Sequence, residues 1–460
     1  MTRKPYPRAV KKELRDAIVN QSRSAQQSCR PVEVPSTIAD VPSFDALPEY
    51  NQTSAMELAG KTLGIANPYF RTHDGLATTT TVIDGKVVLN FSSYDYLGLN
   101  ADPRPAKAAC EAIERYGVSA AASRMVAGDR PVHRDLEAAL ARICGVEDAL
   151  VFVSGHATNV SLIGALMSPG DLILHDSYAH NSIFVGTQLS GATRRSFPHD
   201  DLDALEQILR HHRAGHSRVL VVVEGLYSMD GDLCDLPRLI ALRQKYGFWL
   251  MVDEAHALGA LGSTGLGSAE HFGIDPNDVD IWMGTLSKAL ASTGGYVAGS
   301  ASLIKFLKHH AAGFVYSVAL SPALAASALR SIELMLNEPQ RAARLRENAT
   351  YFQEVADSLG LDTGLAEGSA VMPIMLGDSA TAVKMSERLL ELGVNVAPVT
   401  FPGVPMNKAR LRFFLTAIHE KSQIDTALSA VRQALDELED EGFGEAVAEA
   451  VAQFARNFES

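Results

Sequence analysis

Short apolar runs alternate with longer amphipathic stretches through the middle of the chain, and this alternation restricts the possible folds more than any other feature. Five such runs lie at residues 149–153, 172–174, 219–223, 248–252 and 279–282. Runs of this length are typical of strands buried on both faces, and the stretches between them are long enough for crossover helices. The sequence therefore predicts an α/β fold with a mostly parallel central sheet.

The pattern changes at about residue 330 and predicts a second, smaller domain. A long helical stretch is followed there by three further apolar runs, at residues 371–376, 394–396 and 411–415. Helices combined with a few short strands are typical of an α+β domain. We therefore assign a large domain to residues 61–330 and a small C-terminal domain to residues 331–440.

The two ends of the chain differ from this central part. Residues 1–60 contain a short helical pattern and then several prolines, which is typical of an arm or linker; the apolar positions of that pattern are Val10, Leu14 and Ile18. Residues 441–460 have apolar side chains at helical spacing, at Val447, Val451, Phe454 and Phe458. We expect this tail to form an amphipathic helix that packs on its own protein.

Composition and charge exclude several classes of partner. The chain has 460 residues, of which 47% are hydrophobic, so it can fill a large core. Its formal net charge of −13 argues against nucleic acid or an anionic membrane as the main partner, because both are bound by clustered Lys and Arg. Neither an export signal nor a run of apolar residues long enough to span a membrane is visible.

The cysteines are few and widely spaced. They lie at Cys29, Cys110, Cys144 and Cys234, without a C-x-x-C pair. This spacing supports neither a disulfide framework nor a zinc site, and no metal is expected. A reducing cytoplasm is the expected compartment.

Two of the predicted strands end in residues that suit imine chemistry. Lys288 follows the small and hydroxylated residues Thr285 to Ser287, and Asp253 ends the run at 248–252. A lysine alone in such a place is usually a surface residue, and a lone aspartate often caps a helix. Together, at two strand ends, they suggest a nucleophilic amine beside a fixed carboxylate. This is what pyridoxal phosphate requires, because its ring nitrogen must stay protonated for the ring to accept electrons.

Three further loops carry polar residues at the ends of predicted strands. Residues 154–159 (Ser-Gly-His-Ala-Thr-Asn) open a helix and could bind a phosphate, although many helices begin after Ser-Gly. Residues 177–181 place His180 where it could lie against a ring, although such a histidine is commonly a cap. Residues 224–232 combine hydroxyl and acidic groups in a turn that could equally be an ordinary loop.

Taken in order, these motifs resemble those of the α-oxoamine synthase family. The matching segments are 95–98 (Asp-Tyr-Leu-Gly), 154–155, 177–180, 224–231, 252–259 and 285–288. The resemblance spans roughly residues 65 to 435 and implies a fold-type-I pyridoxal phosphate enzyme. It also implies a homodimer with the active site at the interface.

The resemblance implies roles at the coenzyme for several residues. Lys288 is expected to form the Schiff base and to act as acid and base at the substrate α-carbon. Asp253 is expected to pair with the pyridinium nitrogen, and His180 to stack on the ring. The phenolic oxygen is expected near Ser228 and His256, and the phosphate near Gly155, His156, Thr285 and Ser287. We expect Lys288, His180, Asp253 and His256 to be the catalytic residues.

The substrate side both matches and departs from the family. Arg412 matches the arginine that binds the amino acid carboxylate, which suits its bidentate guanidinium. Tyr94 stands where the family often has an asparagine that contacts the same carboxylate. The family's glycine-rich segment is Ser-Ala-Ala-Ala-Ser-Arg at residues 119–124, and Val318 replaces a hydroxyl residue that reaches the partner subunit's phosphate. Substrate choice is where these changes are expected to act.

The implied reaction is a decarboxylative condensation of a small α-amino acid with an acyl thioester to give an α-amino ketone. Glycine, alanine and serine are all possible, and the thioester is carried by coenzyme A or by an acyl carrier protein. One alternative is an aminotransferase or lyase of the same fold. Another is a non-catalytic subunit, as in eukaryotic serine palmitoyltransferase, but such a subunit has no need of Lys288, Asp253 and His180 together.

Overall fold

The computed structural model describes residues 43–62, 64–444 and 447 of the chain. The helix predicted around Val10, the position of Cys29 and most of the predicted C-terminal tail lie outside these residues. Among the described residues, those up to Ala59 form one unit and those from Gly60 onward form another. In the first unit, a short 3₁₀ turn at Phe44–Ala46 is followed by the start of helix α1 (Pro48–Thr62).

The elements of the region predicted as the large domain follow one another as strands and helices. They begin with β1 (Thr80–Ile83), β2 (Lys86–Asn90), α2 (Pro103–Tyr116), α3 (Pro131–Cys144), β3 (Asp148–Phe152) and α4 (Gly155–Leu166). They continue with β4 (Leu172–Asp176), α5 (Asn181–Ser190), β5 (Thr193–Phe197), α6 (Leu202–His212), β6 (Val219–Glu224), α7 (Leu236–Tyr246) and β7 (Trp249–Asp253). The last are α8 (Ser268–Phe272), β8 (Ile281–Thr285), β9 (Gly295–Gly299), α9 (Ala301–His310), α10 (Ala312–Val315) and α11 (Pro322–Asn337).

The remaining elements belong to the region predicted as the small domain. They are α12 (Gln340–Ser358), β10 (Val371–Gly377), α13 (Ser379–Glu391), β11 (Val394–Asn395), β12 (Ala397–Val399), β13 (Ala409–Phe414) and α14 (Lys421–Asp440). Several helices of the chain begin at a residue whose side chain accepts a hydrogen bond from the first helical turn. Asp235, for example, accepts a hydrogen bond from the backbone N–H of Arg238 at 3.0 Å at the start of α7.

All five apolar runs form strands of one seven-stranded sheet, so the predicted α/β fold with a mostly parallel sheet is confirmed. The strand order is β3-β9-β8-β7-β6-β4-β5. The pairs β4–β5, β4–β6, β6–β7 and β7–β8 are parallel, whereas β9 is antiparallel to both of its neighbours. The apolar runs form strands because every residue of β4, β6 and β8 is buried between helices on the two faces.

Parallel pairing brings the ends of the central strands to one edge of the sheet. Asp176 ends β4, Glu224 ends β6, Asp253 ends β7 and Thr285 ends β8. Glu224 and Asp253 are direct partners in the register of β6 and β7. Ligands bind at this edge in sheets of this kind, so the fold positions the predicted site residues together.

Two three-stranded sheets complete the structure. Strands β10, β13 and β12 form an antiparallel sheet, as expected for the small domain. In the other sheet, β2 pairs with β1 and, in parallel, with β11. A strand from before residue 330 therefore shares a sheet with one from after it, and the domain boundaries proposed from the sequence stay predictions.

Within the described ranges, no helix combines the length and apolar character needed to cross a bilayer. Over the same residues, no group of three or more His, Cys, Asp or Glu side chains is arranged to hold a metal ion. The three described cysteines, Cys110, Cys144 and Cys234, are free thiols.

Candidate active site

Lys288 lies in the turn that follows β8, where burial and neighbouring charges act on its amine. Burial lowers the pKa of Lys288 to about 8, against the raising effect of Asp253 and Glu224, and Arg412 lowers it further. A substantial fraction of the amine is therefore neutral near physiological pH, as a nucleophile requires.

Asp253 is 4% exposed at the end of β7 and is held by two donors. Its Oδ2 accepts from Asn159 Nδ2 at 2.9 Å, and its Oδ1 accepts from the backbone N–H of Ala255 at 3.0 Å. Hydrogen bonds to both oxygens fix the orientation of the carboxyl group at the cavity wall.

A cavity of about 260 Å³ lies between these two residues. It brings together most of the residues predicted to bind the coenzyme: Gly155, His156, His180, Asp253, His256, Thr285, Ser287 and Lys288. Its wall also contains Ser154, Asn159, Ser182, Glu224, Ala255 and Met283. Three other predicted residues, Ser228, Arg412 and Tyr94, do not line this cavity.

One end of the cavity is formed by the start of α4. Ser154 caps this helix by accepting from the backbone N–H of Ala157 at 3.1 Å, and Ser154, Gly155 and His156 at the helix N-terminus line the cavity. A Cβ at Gly155 would lie 3.2 Å from Thr285 Oγ1, and a Cβ at Gly295 would lie 2.7 Å from the Cα of Gly155. The hydroxyls of Thr285 and Ser287 are 2.7 Å apart at the same end. Hydroxyls and helix N–H groups together suit a phosphate.

The two predicted histidines differ in exposure and partners. His180 is exposed as a whole residue and caps α5, but its ring is part-buried in the cavity wall, where Nδ1 accepts from the backbone N–H of Ser182 at 3.3 Å. Because Nδ1 is an acceptor, the proton of the neutral ring lies on Nε2. Burial lowers the pKa of His180, and Asp253 opposes this effect. His256 is buried, shares a 2.6 Å hydrogen bond with the Tyr96 hydroxyl, and has a pKa held well below its usual range by burial.

Arg412 and Ser228 meet at the small antiparallel sheet. Arg412 lies on β13, and its Nη1 donates to the carbonyl of Ser228 at 2.9 Å. Its guanidinium carbon lies 4.7 Å from the centre of the Phe414 ring. Arg412 Nε is buried and has no hydrogen-bond partner among the described residues. The guanidinium therefore keeps donor capacity for a carboxylate.

A second cavity, of about 530 Å³, shares Ser287 and Lys288 with the first. Tyr94 lines it, together with Asp95 and His73. The Tyr94 ring centre lies 5.7 Å from Lys288 Nζ and 4.6 Å from the Phe414 ring. The amine of Lys288 consequently lies where the two cavities meet.

Sequence reasoning missed three polar residues of the cavity wall. Asn159 Nδ2 donates to Ser182 Oγ as well as to Asp253, both at 2.9 Å, and so links the strand-end acid to the cap of α5. Glu224 belongs to the polar loop 224–232 predicted from the sequence but was assigned no role at the coenzyme, yet it is 3% exposed and lines the cavity. Asn159 lies inside α4, and Ser182 is the second residue of α5. No sequence signal distinguishes a helical residue that lines the cavity from any other polar residue of a helix.

Comparisons with known proteins agree on one family. The model of the family described as aminotransferase class I and II matches residues 86–431. The 8-amino-7-oxononanoate synthase of Symbiobacterium thermophilum is 42% identical over 358 residues, which cover 78% of this chain and 91% of that protein. The chain belongs to the α-oxoamine synthase family. Its members are pyridoxal-phosphate-dependent acyltransferases, so the predicted family, enzyme class and cofactor are confirmed.

Solved structures of the family have the same fold. The serine palmitoyltransferase of Sphingomonas wittichii superimposes with a TM-score of 0.81 at 30% identity and covers 85% of this chain and 98% of that one. A high-resolution serine palmitoyltransferase structure that contains pyridoxal phosphate gives a TM-score of 0.82 at 29% identity, with 86% and 99% covered. The predicted fold-type-I architecture is confirmed.

The residues present fit the family's coenzyme. Two polar atoms at the cavity wall, Asn159 Oδ1 and Glu224 Oε1, are buried and have no partner within the described part of the chain. Such atoms are costly unless a ligand or water satisfies them. Glycines at 155 and 295 leave room where a Cβ would intrude on the phosphate end. These features suit a polar aromatic molecule that carries a phosphate.

Two positions that depart from the family pattern, Ala121 and Val318, can be described in the structure. Ala121, in the segment that replaces the family's glycines, has a φ of 57°, a conformation that alanine adopts at a cost. Val318 is half exposed, and the neighbouring Ser317 hydroxyl donates to its carbonyl at 3.2 Å. The position predicted to contact a partner subunit's phosphate thus presents an apolar side chain.

Proposed function

We propose that this α-oxoamine synthase condenses glycine, alanine or serine with an acyl thioester. A bond forms between the amino acid α-carbon and the acyl carbon, the thiol leaves, and the carboxylate is released as carbon dioxide. The product is an α-amino ketone. The observation that carries this proposal is the position of the Lys288 amine at the meeting point of two cavities, one lined by coenzyme-type residues and one large enough for a second reactant.

Lys288 has two tasks in the proposed reaction. Its neutral amine attaches the coenzyme, and it later takes the α-proton of the amino acid on Nζ and can return a proton to the product. When bound, pyridoxal phosphate supplies the electron sink that makes negative charge at the α-carbon accessible. The pKa of about 8 at Lys288 suits both tasks, because the amine can hold or release a proton near neutral pH.

Asp253, His180 and His256 prepare the cavity for the coenzyme ring. Asp253 is proposed to keep the ring nitrogen protonated through a charge-assisted hydrogen bond. The His180 ring is available for stacking, since Ser182 fixes only its Nδ1. His256 is proposed to hydrogen-bond near the phenolic oxygen, with its ring oriented by Tyr96. Ser228 is proposed to assist there, although its described contacts are made by its backbone.

Arg412 and Tyr94 are proposed to select the amino acid. The free donors of Arg412 suit a carboxylate, and its contact with the Ser228 carbonyl fixes the direction of the guanidinium. Tyr94 gives an aromatic wall beside the lysine in place of an amide, so it limits space rather than offering the amide's hydrogen bond. A small side chain on the amino acid is the expected consequence.

The test is release of labelled carbon dioxide from carboxyl-labelled glycine, alanine or serine. We expect release only when an acyl thioester is also present, with one free thiol formed for each carbon dioxide. A panel of acyl-coenzyme A and acyl carrier protein thioesters identifies the donor, and Lys288→Ala is the inactive control. Release without a thioester would indicate a lyase, and amino transfer to an oxo acid an aminotransferase. A protein that binds no coenzyme would instead be a scaffold subunit.

We also propose that two copies of the chain form a homodimer through one apolar face. A backbone hydrogen bond of 3.0 Å from Ala319 to Ala122 joins two segments of this face. Its exposed side chains are Val118, Val126, Tyr316 and Val318, which are 71%, 82%, 87% and 51% exposed. A patch of this kind is typical of an interface.

Light scattering tests the dimer. We expect twice the chain mass for the wild type and the single mass for Tyr316→Glu, because a charge would have to be buried at the interface. Leu365→Glu is the matched control, since Leu365 is 59% exposed on a different surface beside Asp203 and Arg238. A monomeric wild type would contradict the proposal.

A further inference from the structure

Glu224 is a buried acid placed directly beside the proposed partner of the coenzyme nitrogen. It ends β6 and is the register partner of Asp253 at the end of β7. Both side chains line the same cavity, and they are 3% and 4% exposed. Two carboxylates so close in a buried site repel each other, and one of the two tends to keep a proton.

The hydrogen bonds around the two acids indicate which one keeps the proton. Asp253 has a donor on each oxygen, at 2.9 and 3.0 Å. For Glu224, Oε2 accepts a long bond of 3.3 Å from the backbone N–H of Ser228, and the backbone N–H of His180 has a smaller stabilising effect on the anion. Its Oε1 is buried without a partner in the described residues. Asp253 is therefore the better stabilised anion, and Glu224 the better site for the proton.

The other charged groups around Glu224 lead to the same assignment. Burial and the charge of Asp253 raise the pKa of Glu224 to about 8, although Lys288 and the backbone N–H groups of Ser228 and His180 act in the opposite direction. His180 itself is more easily deprotonated than usual, because burial lowers its pKa. The cation of Lys288 is thus the main group that favours ionised Glu224, and that amine is consumed when the coenzyme is attached.

We propose that Glu224 binds the coenzyme as a neutral carboxylic acid, donating a hydrogen bond from Oε1 into the cavity, while Asp253 is the only carboxylate at the ring. This inference rests on the proposed coenzyme site. It assigns different tasks to two adjacent acids: Asp253 supplies fixed negative charge, and Glu224 supplies a donor without charge. A second carboxylate would attract an additional cation or proton into the cavity. It would also repel the negatively charged phenolate oxygen of the coenzyme.

The test compares two replacements of Glu224 in the full-length chain. Glu224→Gln keeps the shape and a donor but cannot ionise, whereas Glu224→Leu removes the hydrogen bond. The dissociation constant of pyridoxal phosphate is measured from its visible absorption band. We expect Glu224→Gln to stay within about threefold of the wild type and Glu224→Leu to bind at least about tenfold more weakly, as is usual for loss of one buried hydrogen bond.

Infrared spectroscopy of the coenzyme-bound protein gives a second measurement, independent of affinity. Burial raises the pKa of Glu254 to about 7 as well, so at pH 7 both acids should give protonated carboxyl C=O absorption. We expect the component that belongs to Glu224 to be lost in Glu224→Gln and kept in Glu254→Gln. Glu254→Gln is the matched control, because Glu254 is also a buried acid but both of its oxygens accept from Ser268, outside the cavity. It should leave the dissociation constant within about twofold, since it removes no contact with the coenzyme.

The outcomes separate this inference from the proposed function. If the wild type binds no pyridoxal phosphate, the coenzyme site itself fails and this inference with it. If the wild type binds but Glu224→Gln is as weak as Glu224→Leu, Glu224 acts as an anion and the inference is overturned. It is equally overturned if Glu224→Leu binds as tightly as the wild type. If Glu224→Leu does not fold, the infrared difference between the wild type and Glu224→Gln decides. The inference is overturned if Glu224→Gln loses no component of the protonated C=O absorption.

Discussion

The lowered pKa of Lys288 makes a quantitative prediction about how fast the coenzyme becomes attached. With a pKa of about 8 instead of the usual 10.5, about one amine in ten is neutral at pH 7, against about one in 3,000 for an ordinary lysine. Attachment requires the neutral amine, so the buried lysine should react about 300 times faster than an unperturbed one at this pH. The attachment rate should rise tenfold per pH unit and level off near pH 8.

Two substitutions test the sign of each electrostatic contribution. Arg412 lowers the pKa of Lys288, so Arg412→Met should move the midpoint of the rate profile upward and slow attachment at pH 7. Asp253 raises the same pKa, so Asp253→Asn should move the midpoint downward and speed attachment, even though it weakens equilibrium binding. An increase in rate together with a loss of affinity is difficult to explain by general damage to the site.

The assay is stopped-flow mixing of the coenzyme-free protein with pyridoxal phosphate, followed by the visible absorption of the attached coenzyme from pH 6 to 10. Every variant meets the same coenzyme, so differences between profiles report on the lysine and its neighbours. Arg432→Met is the control, because Arg432 pairs with Asp436 on the exposed surface of α14. A wild-type midpoint near 10.5, or shifts of the two variants in the opposite directions, would refute the reasoning.

Three further predictions concern packing, selectivity and pH. Gly225→Ala should destabilise the fold by about 1–3 kcal/mol in denaturant titrations, because its Cβ would clash with the Glu254 carboxyl, whereas Gly215→Ala, with open space around it, should change little. Tyr94→Ala should favour amino acids with a larger side chain, by about tenfold in relative kcat/KM. His199 is paired with two aspartates that raise its pKa from 6.5 to about 10, so its stabilising contribution is complete below pH 6.5 and lost as the pH rises to about 10. The wild-type unfolding temperature should therefore fall over this range more steeply than that of His199→Gln.

The strands that the sequence predicted coincide with continuous apolar runs, and β5 and β9, which it missed, lack such a run. In β5, the residues from Thr193 to Ser196 are exposed at the sheet edge and include two arginines, so no apolar run marks the strand. In β9, all five residues are buried, but glycines at both ends leave only Tyr296 to Ala298 as an apolar run. Apolar patterning therefore fails where a strand is exposed or where glycines shorten its apolar run.

The site was predictable where chemistry is linked to a strand end, and not where it depends on strand order. Lys288 and Asp253 could be identified because an amine and an acid each follow an apolar run. Glu224 follows such a run too, but its importance arises from β6 lying next to β7, which the sequence does not give. Asn159 reaches Asp253 across 94 positions of sequence, and helical spacing carries no information about that contact.

Strand β13 connects substrate selection to the loop after β6 through two arginines. Arg412 donates to the carbonyl of Ser228, and the buried Arg410 donates to the next carbonyl, that of Met229, at 3.0 Å and pairs with Asp230. The strand and the loop are thus joined at three consecutive residues and must shift together. Substitutions in β13 that adapt the site to a different amino acid substrate would therefore also disturb the residues around the coenzyme. New specificities in this chain should consequently arise more readily at Tyr94, which contacts β13 through its ring against Phe414 rather than through these hydrogen bonds.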